Sequence, residues 1–236
     1  MTEPWLAIDT ATDIASVAVN ADNKTIARSI RGARQHAAQI ISLVDHVLAA
    51  ANTPLEQIAG VIVGDGPGSF TGLRIGWAAA KGLTHDRQLP LIAIPSLLAA
   101  AHAADVETAA ACYDALRGQV FSAVYAFADD RFQSLVAPDV FTIAELIAVA
   151  PRRPVVAVGD GAVRYADDVQ RWTGRAPVPL EALPALAASL LDLADYDGAR
   201  RAIADASIAE PTYGRPAEAQ VKWEKSHGRP LPHSSR

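Results

Sequence analysis

The chain has 236 residues, 50% of them hydrophobic and 6% aromatic, with 49 alanines and a formal net charge of −5 at pH 7. This composition excludes wholesale disorder, and the negative charge argues against a protein that binds nucleic acid by itself, because phosphate binding needs a concentrated cationic surface. A single cysteine, Cys112, excludes an internal disulfide and a cysteine-cluster metal site. The length suits one large domain or two small ones.

The elements of the first hundred residues follow from changes in hydrophobic period. Short apolar runs predict strands over 5–9, 14–19, 25–30, 58–63 and 90–94. A stripe with helical spacing predicts an amphipathic helix over 36–51, and further helices are expected over about 69–85 and 96–104. The polar cluster at 20–23 predicts a hairpin turn, because Asn and Asp tolerate turn dihedrals. Three leading strands followed by alternation of helix and strand predict a mixed sheet covered by helices.

The second half begins again with strands. They are predicted over 109–114, 119–128, 132–140 and 155–159, and helices over 142–149, 160–172 and 185–194. Thr142 followed by Glu145 is a capping-box pattern at the start of the first of these helices. No internal repeat of 20–50 residues is apparent. The fold class is therefore α/β, with mixed sheets and flanking helices.

A glycine-rich loop, 64–72, lies between a predicted strand and a predicted helix. Its backbone N–H groups at a helix N-terminus could hold a phosphate, with Gly66, Pro67, Gly68 and Ser69 as the contacting residues. It is not a Walker A loop, because no Lys-Ser or Lys-Thr follows its last glycine. It is not a dinucleotide-binding fingerprint either, because the spacing of its glycines differs. The alternative is a tight strand-to-helix turn in which Ser69 only caps the helix.

A second candidate site lies at the end of the first strand. Asp9, Thr10 and Thr12 combine a carboxylate with two hydroxyls, a set that could orient hydrated Mg²⁺ and a phosphate. The alternative is ordinary turn chemistry, in which these side chains bond nearby backbone N–H groups.

Small residues recur every four positions on the helix after the glycine-rich loop. Gly72, Gly76 and Ala80, with Leu73 and Trp77 beside them, could let a partner helix approach closely around an aromatic anchor. The helix over 36–51 carries its own apolar stripe, which includes Ile40, Val44 and Val47. The alternative is internal packing of the same residues on the sheet.

Metal and nucleophile chemistry find little support. The six histidines include no pair three or four residues apart, so no histidine metal site is predicted. Proteolysis with Ser69 or Cys112 as the nucleophile is not supported, because no convincing general base lies nearby in sequence. No signal peptide is visible and no apolar run reaches the roughly 18–20 residues of a membrane span, so we expect a cytoplasmic protein.

Five motifs make the chain resemble the TsaB (YeaZ) family, the non-catalytic subunits of the bacterial machinery that makes N6-threonylcarbamoyladenosine in tRNA. They are Ile8–Thr12, Gly66–Gly76, Asp114–Gln119, Val158–Gly161 and Glu210–Tyr213. The resemblance covers nearly the whole chain, and Gly66–Gly76 is its most specific part. It implies the two-lobed actin, sugar-kinase and Hsp70 (ASKHA) fold. We expect lobes over 1–106 and 107–225, the end of the second packing back on the first, and a mobile tail over 226–236.

The resemblance also implies a protein without catalytic residues. The catalytic paralogue TsaD carries a His-x-x-x-His metal motif on the helix after the fifth strand. The corresponding stretch here, 95–102, has His102 alone. We therefore expect no catalytic residue, no metal and no cofactor, and Asp9 and the Gly66–Ser69 loop would be remnants of a nucleotide cleft.

The family resemblance names partners as well. The helix beginning near His36 and the helix after the glycine-rich loop would form a helical bundle with the same pair on TsaD, or with a second copy as a homodimer. The resemblance thereby adds Ile40, Val44 and Val47 of the first helix to the predicted partner interface. The ATPase TsaE would join through the complex, and tRNA would be contacted only indirectly while threonylcarbamoyl passes to A37 of ANN-decoding tRNAs. A rival hypothesis is a small Mg²⁺-dependent ATPase or kinase that uses Asp9 and the Gly66–Ser69 loop.

Overall fold

The computed structural model describes residues 3–22, 24–215, 223 and 226–228. Most of the tail predicted over 226–236 therefore lies outside the described residues. Within the described part, no helix combines the length and the apolar character needed to cross a membrane.

Strands and helices alternate after three leading strands. The strands are β1 (Trp5–Asp9), β2 (Ile14–Ala21), β3 (Lys24–Arg31), β4 (Gly60–Gly64), β5 (Leu91–Ile94), β6 (Thr108–Asp114), β7 (Val120–Ala128), β8 (Arg131–Phe141), β9 (Val156–Val158) and β10 (Arg201–Ile203). The helices are α1 (Ala33–Ala50), α2 (Phe70–His85), α3 (Ser96–His102), α4 (Ile143–Val149), α5 (Asp160–Arg164), α6 (Ala166–Thr173) and α7 (Leu186–Leu193). Short 3₁₀ helices occupy Leu55–Gln57 and Leu180–Ala182.

The strands form two mixed sheets. Their orders are β10-β5-β4-β1-β2-β3 and β8-β7-β6-β9. In the first sheet β1 pairs antiparallel with β2 and parallel with β4, and in the second β6 pairs antiparallel with β7 and parallel with β9. We call the first sheet with α1 and α2 lobe 1, and the second sheet with α4, α5 and α6 lobe 2. The predicted α/β class, with mixed sheets and flanking helices, is confirmed.

Helices and sheets stack in five layers, and the alternation of side chains along the strands explains the stacking. Leu6 and Ile8 of β1 share a core with α1 and α2, whereas Ala7 points to the other face of the sheet. Helices α3 and α7 fill the central layer and pack against both sheets. Beyond the second sheet, Cys112 shares a third core with α4, α5 and α6.

The central layer is rich in alanine. Its buried alanines come from both sheets and both helices and include Ala7, Ala18, Ala99, Ala100, Ala101, Ala109, Ala111, Ala123, Ala187 and Ala194. Small side chains let the sheets approach the two helices closely, as in the close-packed interiors of other proteins. Many of the alanines that dominate the composition thus have a defined place between the lobes.

Most predicted elements are confirmed, and the differences have local causes. Strand β1 has its predicted bounds, and the capping box of Thr142 and Glu145 is formed in both directions. The predicted helix over 160–172 is wrong, because Tyr165 (φ −111°, ψ 41°) divides it into α5 and α6. Helix α1 begins earlier than predicted, directly after Gly32 at φ 109°. The three-residue strand β10 was not predicted.

The hairpin between β2 and β3 is tighter than predicted. Asn20 and Ala21, assigned to the turn, still pair with Thr25 and Lys24. Asp22 adopts a positive φ of 49°, as the turn chemistry of aspartate allows.

Candidate functional site

A cleft opens between the lobes, where β1 and β6 end. It contains a cavity of about 400 Å³. The lining residues come from the turn after β1, the end of β6 and the turn after it, the starts of β7, α2 and α5, and the C-terminal segment: Ala11, Thr12, Asp13, Gly68, Ser69, Phe70, Asp114, Leu116, Phe121, Asp160, Tyr213 and Arg215. Of the predicted nucleotide-site residues, three line this cavity (Thr12, Gly68 and Ser69) and four do not (Asp9, Thr10, Gly66 and Pro67).

Asp9 is sealed inside lobe 1, with 0% of its surface exposed. Its carboxylate accepts hydrogen bonds from the hydroxyl of Ser96 at 2.6 Å and from the N–H of Ala11 at 3.3 Å. A Cβ on Gly64 would lie 2.1 Å from Asp9 Oδ2, so only glycine fits at that position. The bond from Ala11 corresponds to the turn interpretation of Asp9, whereas the bond from Ser96 comes from 87 positions further along the chain. Binding of Mg²⁺ by Asp9 stays a prediction, and the carboxylate has no exposed surface at which an ion could bind.

Several N–H groups of the glycine-rich loop form hydrogen bonds within the fold. Between residues 66 and 72, three N–H groups already donate to protein acceptors: Gly66 to Ser96 Oγ at 3.3 Å, Ser69 to the carbonyl of Ala11 at 2.7 Å, and Gly72 to Ser69 Oγ at 3.2 Å. The capping role of Ser69 is thus confirmed. Phosphate binding by this loop stays a prediction, since those three groups are not directed at a ligand.

The recurring small residues of α2 pack on the turn after β1. A Cβ on Gly72 would lie 2.1 Å from the carbonyl oxygen of Thr10, and one on Gly76 would lie 2.2 Å from its hydroxyl. The Thr10 hydroxyl in turn donates to the carbonyl of Gly72 at 2.7 Å. Glycine at both positions therefore allows α2 to lie directly on the backbone of residue 10.

The side chains predicted as a partner interface are interior, and this corrects their assignment. Ile40, Val44, Val47, Leu73, Trp77 and Ala80 are each no more than 3% exposed, and Gly72 and Gly76 are buried as well. The stripe on α1 packs on the sheet, while Trp77 lies in the same core and donates its indole N–H to the carbonyl of Gly64 at 3.3 Å. The sequence pattern of such a stripe is the same whether it packs on the sheet of its own chain or on a partner helix.

The outward face of α1 and α2 consists of different residues. Ile41 on α1 is 50% exposed, and Ala78 and Gly82 on α2 lie four residues apart outside the buried set of that helix. A Cβ on Gly82 would meet no atom within 4 Å. Because residues four apart share one helix face, Ala78 and Gly82 leave a shallow surface of small side chains, which we call the α1/α2 face together with Ile41.

Lobe 2 contributes charged side chains to the cleft. Asp114, at the end of β6, forms an ion pair with Arg164 of α5 at 2.6 Å. Desolvation raises the pKa of the Asp160 carboxyl, and hydrogen bonds from the N–H groups of Asp114 and Gly161 oppose that rise. The turn between β6 and β7 has Leu116 at φ 61° and Arg117 at φ 55°, a left-handed conformation rare for such residues.

The segment 209–215, which we call the strap, runs over the glycine-rich loop. The N–H of Thr212 donates to the carbonyl of Asp65 at 2.8 Å, and its hydroxyl donates to the Asp65 carboxylate at 3.1 Å. Arg201 binds the same carboxylate at 2.6 Å. Burial raises the pKa of Asp65, while the bonds from Arg201 and Thr212 act in the opposite direction. The ring of Tyr213 packs on that of Phe70, with centroids 4.5 Å apart and the planes tilted by 33°.

His102 lies away from this cleft. Its ring packs edge-on against Phe127 and Tyr196, with centroids 5.7 and 5.5 Å apart, and its buried Nδ1 has no hydrogen-bond partner. Burial lowers the pKa of His102, and the charges of Asp192 and Asp105 oppose this shift. Across the residues that the structure describes, no group of three or more His, Cys, Asp or Glu side chains is arranged to hold a metal ion.

Several residues that shape the site were not singled out from sequence. Ser96 is 87 positions from Asp9, and Arg201 is 136 positions from Asp65. No local spacing connects such pairs. Asp160 lies within the motif Val158–Gly161, which carried a signal only through the family resemblance.

The sequence matches a known family and its curated relatives. A family model described as TsaD, tRNA N6-adenosine threonylcarbamoyltransferase, matches residues 23–166. The tRNA threonylcarbamoyladenosine biosynthesis protein TsaB of Escherichia coli is 39% identical over 124 residues, which cover 51% of this chain and 54% of that protein. The protein of the same name from Haemophilus influenzae is 29% identical over 236 residues, covering 95% of this chain and 97% of that protein.

Solved structures agree with the sequence matches. An uncharacterised Pseudomonas aeruginosa protein with similarity to the peptidase YeaZ has a TM-score of 0.74 at 26% identity, covering 90% of this chain and 100% of that chain. YeaZ from the same organism has a TM-score of 0.69 at 26% identity, covering 81% of this chain and 90% of that chain. The expected two-lobed fold of the actin, sugar-kinase and Hsp70 type is confirmed.

Proposed function

Because the chain belongs to the family of TsaD and its TsaB (YeaZ) relatives, we propose that it is a non-catalytic subunit in the synthesis of N6-threonylcarbamoyladenosine in tRNA. In this role it binds the catalytic paralogue TsaD and supports transfer of threonylcarbamoyl to A37 of ANN-decoding tRNAs. The ATPase TsaE joins the same complex, and tRNA contacts belong mainly to the other subunits.

The observation that carries this proposal is that the residues predicted to bind a nucleotide are hydrogen-bonded within the fold. Asp9 is bonded to Ser96 and has no exposed surface, and three N–H groups between residues 66 and 72 of the glycine-rich loop donate within the chain. A nucleotide enzyme needs its carboxylate and loop N–H groups directed at phosphate and metal. For this reason the rival hypothesis of a Mg²⁺-dependent ATPase finds no support in the geometry, and we do not propose it.

The α1/α2 face supports association with a partner helix pair. It exposes Ile41 on α1 and the small residues Ala78 and Gly82 on α2, so a helix can approach α2 closely and cover an apolar side chain. Arg74 and Lys81 flank Ala78 at the i−4 and i+3 positions, which gives this surface a cationic margin. We assign the face to TsaD; a second copy of the chain is the competing occupant in solution.

The test is association of the full chain with TsaD, measured as complex mass by light scattering, together with modification of tRNA by the reconstituted machinery. Ala78→Arg and Gly82→Arg should weaken the complex at least about tenfold, as expected for steric and charge mismatch in the centre of an interface. Val163→Arg is the matched control, because Val163 is 43% exposed on α5 of lobe 2.

Each variant must retain the unfolding midpoint of the parent chain, as surface substitutions normally do. Substitution of Trp77 or Gly76 would be uninformative, since both are interior. Full tRNA modification by a variant that no longer associates would contradict the subunit role. A wild-type chain that forms only homodimers when it is mixed with TsaD would contradict the assignment of the α1/α2 face to TsaD.

A further inference from the structure

The strap touches α2 and the glycine-rich loop before it reaches lobe 2. Its first residue, Ala209, accepts a hydrogen bond from the ammonium of Lys81 at 2.6 Å. Thr212 is anchored on Asp65, which is itself buried and paired with Arg201. The strap is thus attached to lobe 1 at several points.

On α2 the strap contacts both cations that flank the α1/α2 face. Arg74 donates from Nε to the hydroxyl of Tyr213 at 3.2 Å, and its guanidinium lies 4.1 Å from the centroid of the Phe70 ring. Tyr213 packs on that ring from the strap. Arg74 and Lys81 therefore each donate a hydrogen bond to the strap from positions beside Ala78.

The far end of the strap is wedged between the lobes. Gly214 has φ 74°, and a Cβ there would lie 2.8 Å from both Pro67 Cβ of lobe 1 and Phe121 Cε1 of lobe 2. The guanidinium of Arg215 lies 5.5 Å from the centroid of the Phe121 ring. Tyr213, Arg215 and Phe121 all line the cleft cavity. A change in the separation of the lobes must therefore displace the strap.

We propose that the strap couples the α1/α2 face to the cleft. The strap conformation that fits Gly214 between the lobes is also the one that presents Arg74 and Lys81 to carboxylates of a partner. Partner binding then stabilises the lobe separation that accommodates the strap, and that separation strengthens partner binding by the same factor, because coupling between two sites is reciprocal. This coupling rests on the proposed function, which supplies the partner.

The experiment compares two glycine variants for binding to TsaD. Gly214→Ala adds a methyl group against Pro67 and Phe121, at the end of the strap remote from Ala78. Gly118→Ala is the matched control, because Gly118 also has a positive φ, 82°, but no atom within 4 Å of its Cβ position. We expect Gly214→Ala to weaken binding about tenfold and Gly118→Ala to leave it within about twofold, within the usual range of coupling between sites.

Hydrogen exchange provides a second readout on the wild-type chain. The amide of Thr212 donates to the carbonyl of Asp65, and Thr212 is not part of the α1/α2 face. If partner binding stabilises the strap, saturation with TsaD should slow the exchange of this amide. If Gly214→Ala fails to fold, Tyr213→Phe takes its place. It keeps the ring contact with Phe70, removes only the acceptor of Arg74, and should weaken binding about fivefold.

The outcomes separate the coupling from the proposed function. Wild-type affinity of a folded strap variant, or unchanged exchange of the Thr212 amide on saturation, overturns the coupling while the subunit role stands. A wild-type chain that does not bind TsaD overturns the subunit role, and the coupling falls with it.

Discussion

The two lobes repeat one four-strand pattern, β3-β2-β1-β4 in lobe 1 and β8-β7-β6-β9 in lobe 2. In each lobe a helix enters the cleft after the parallel strand, and glycines let it contact the end of the first strand. Gly72 would clash with the carbonyl of Thr10 if it carried a Cβ, and Gly159 with the carbonyl of Cys112. The repeat spans about half the chain, so a search for periods of 20–50 residues could not detect it.

The lobes differ at the end of their first strand. In lobe 1 the carboxylate of Asp9 is buried and bonded to Ser96. In lobe 2 Asp114 reaches the cleft, where it pairs with the exposed Arg164, and a left-handed turn projects Leu116 with 48% of its surface exposed. The same topology can thus serve packing on one side of a cleft and present charge on the other.

The largest expected change in the free energy of unfolding concerns the glycine contact in lobe 1. Gly72→Ala should lower the free energy of unfolding by about 3 kcal/mol, because the Cβ would overlap a backbone carbonyl that cannot move independently. Gly82→Ala, on the same helix with open space around it, should instead raise stability by up to about 1 kcal/mol through helix propensity. Urea denaturation measures both, and equal effects would remove the distinction between the two faces of α2.

A somewhat smaller effect separates the two carboxylates. Asp9→Ala should cost about 2 kcal/mol, because it leaves the buried Ser96 hydroxyl without its acceptor. Asp114→Ala removes a partly exposed ion pair with Arg164 and should cost at most about 1 kcal/mol. Thermal unfolding of both variants at pH 7 checks the order. A larger loss for Asp114→Ala would mean that lobe 2, not lobe 1, depends on its cleft carboxylate.

The smallest effect concerns Cys112, in the core of lobe 2 that faces α4, α5 and α6. Burial raises its pKa from 9.0 to about 12. A raised folded pKa contributes stability below the unfolded pKa that is lost as pH rises towards 12. Between pH 8 and pH 10 the wild-type chain should therefore lose about 1 kcal/mol more stability than Cys112→Ala.

Thiol labelling gives the same residue a second use. At pH 8 the folded chain should react with a thiol reagent far more slowly than the unfolded chain, since the buried Cys112 thiol is protonated. If labelling in increasing urea precedes the loss of lobe 1 structure, the lobes unfold separately. Rapid labelling of the native chain would contradict the burial of Cys112.

Features that depend on neighbouring residues were predictable from sequence. The cap of Ser69 and the capping box of Thr142 join residues three apart, and β1 is a short apolar run ending at a carboxylate. The cleft as a meeting point of the glycine-rich loop and the turn after β1 was also predictable, through the family motifs.

Features that depend on distant contacts were not predictable in this way. Gly72 and Gly76 indicated a close approach correctly, but the approaching group is Thr10, more than 60 positions earlier, and not a partner helix. The strap is polar and punctuated by proline and glycine, so its sequence is typical of a surface loop. Its role depends on Asp65, a residue separated from Thr212 by 147 positions.

The alanines between the lobes reverse the usual pattern of harmful substitutions in a core. Trimming a side chain removes little there, because alanine has only one methyl group to lose. Enlargement is the damaging direction, since a Val at Ala100 or Ala111 must separate a helix from a sheet. In a survey of variants, intolerance in this layer should therefore increase with the volume of the replacing side chain, with glycine and serine tolerated best at its strand positions.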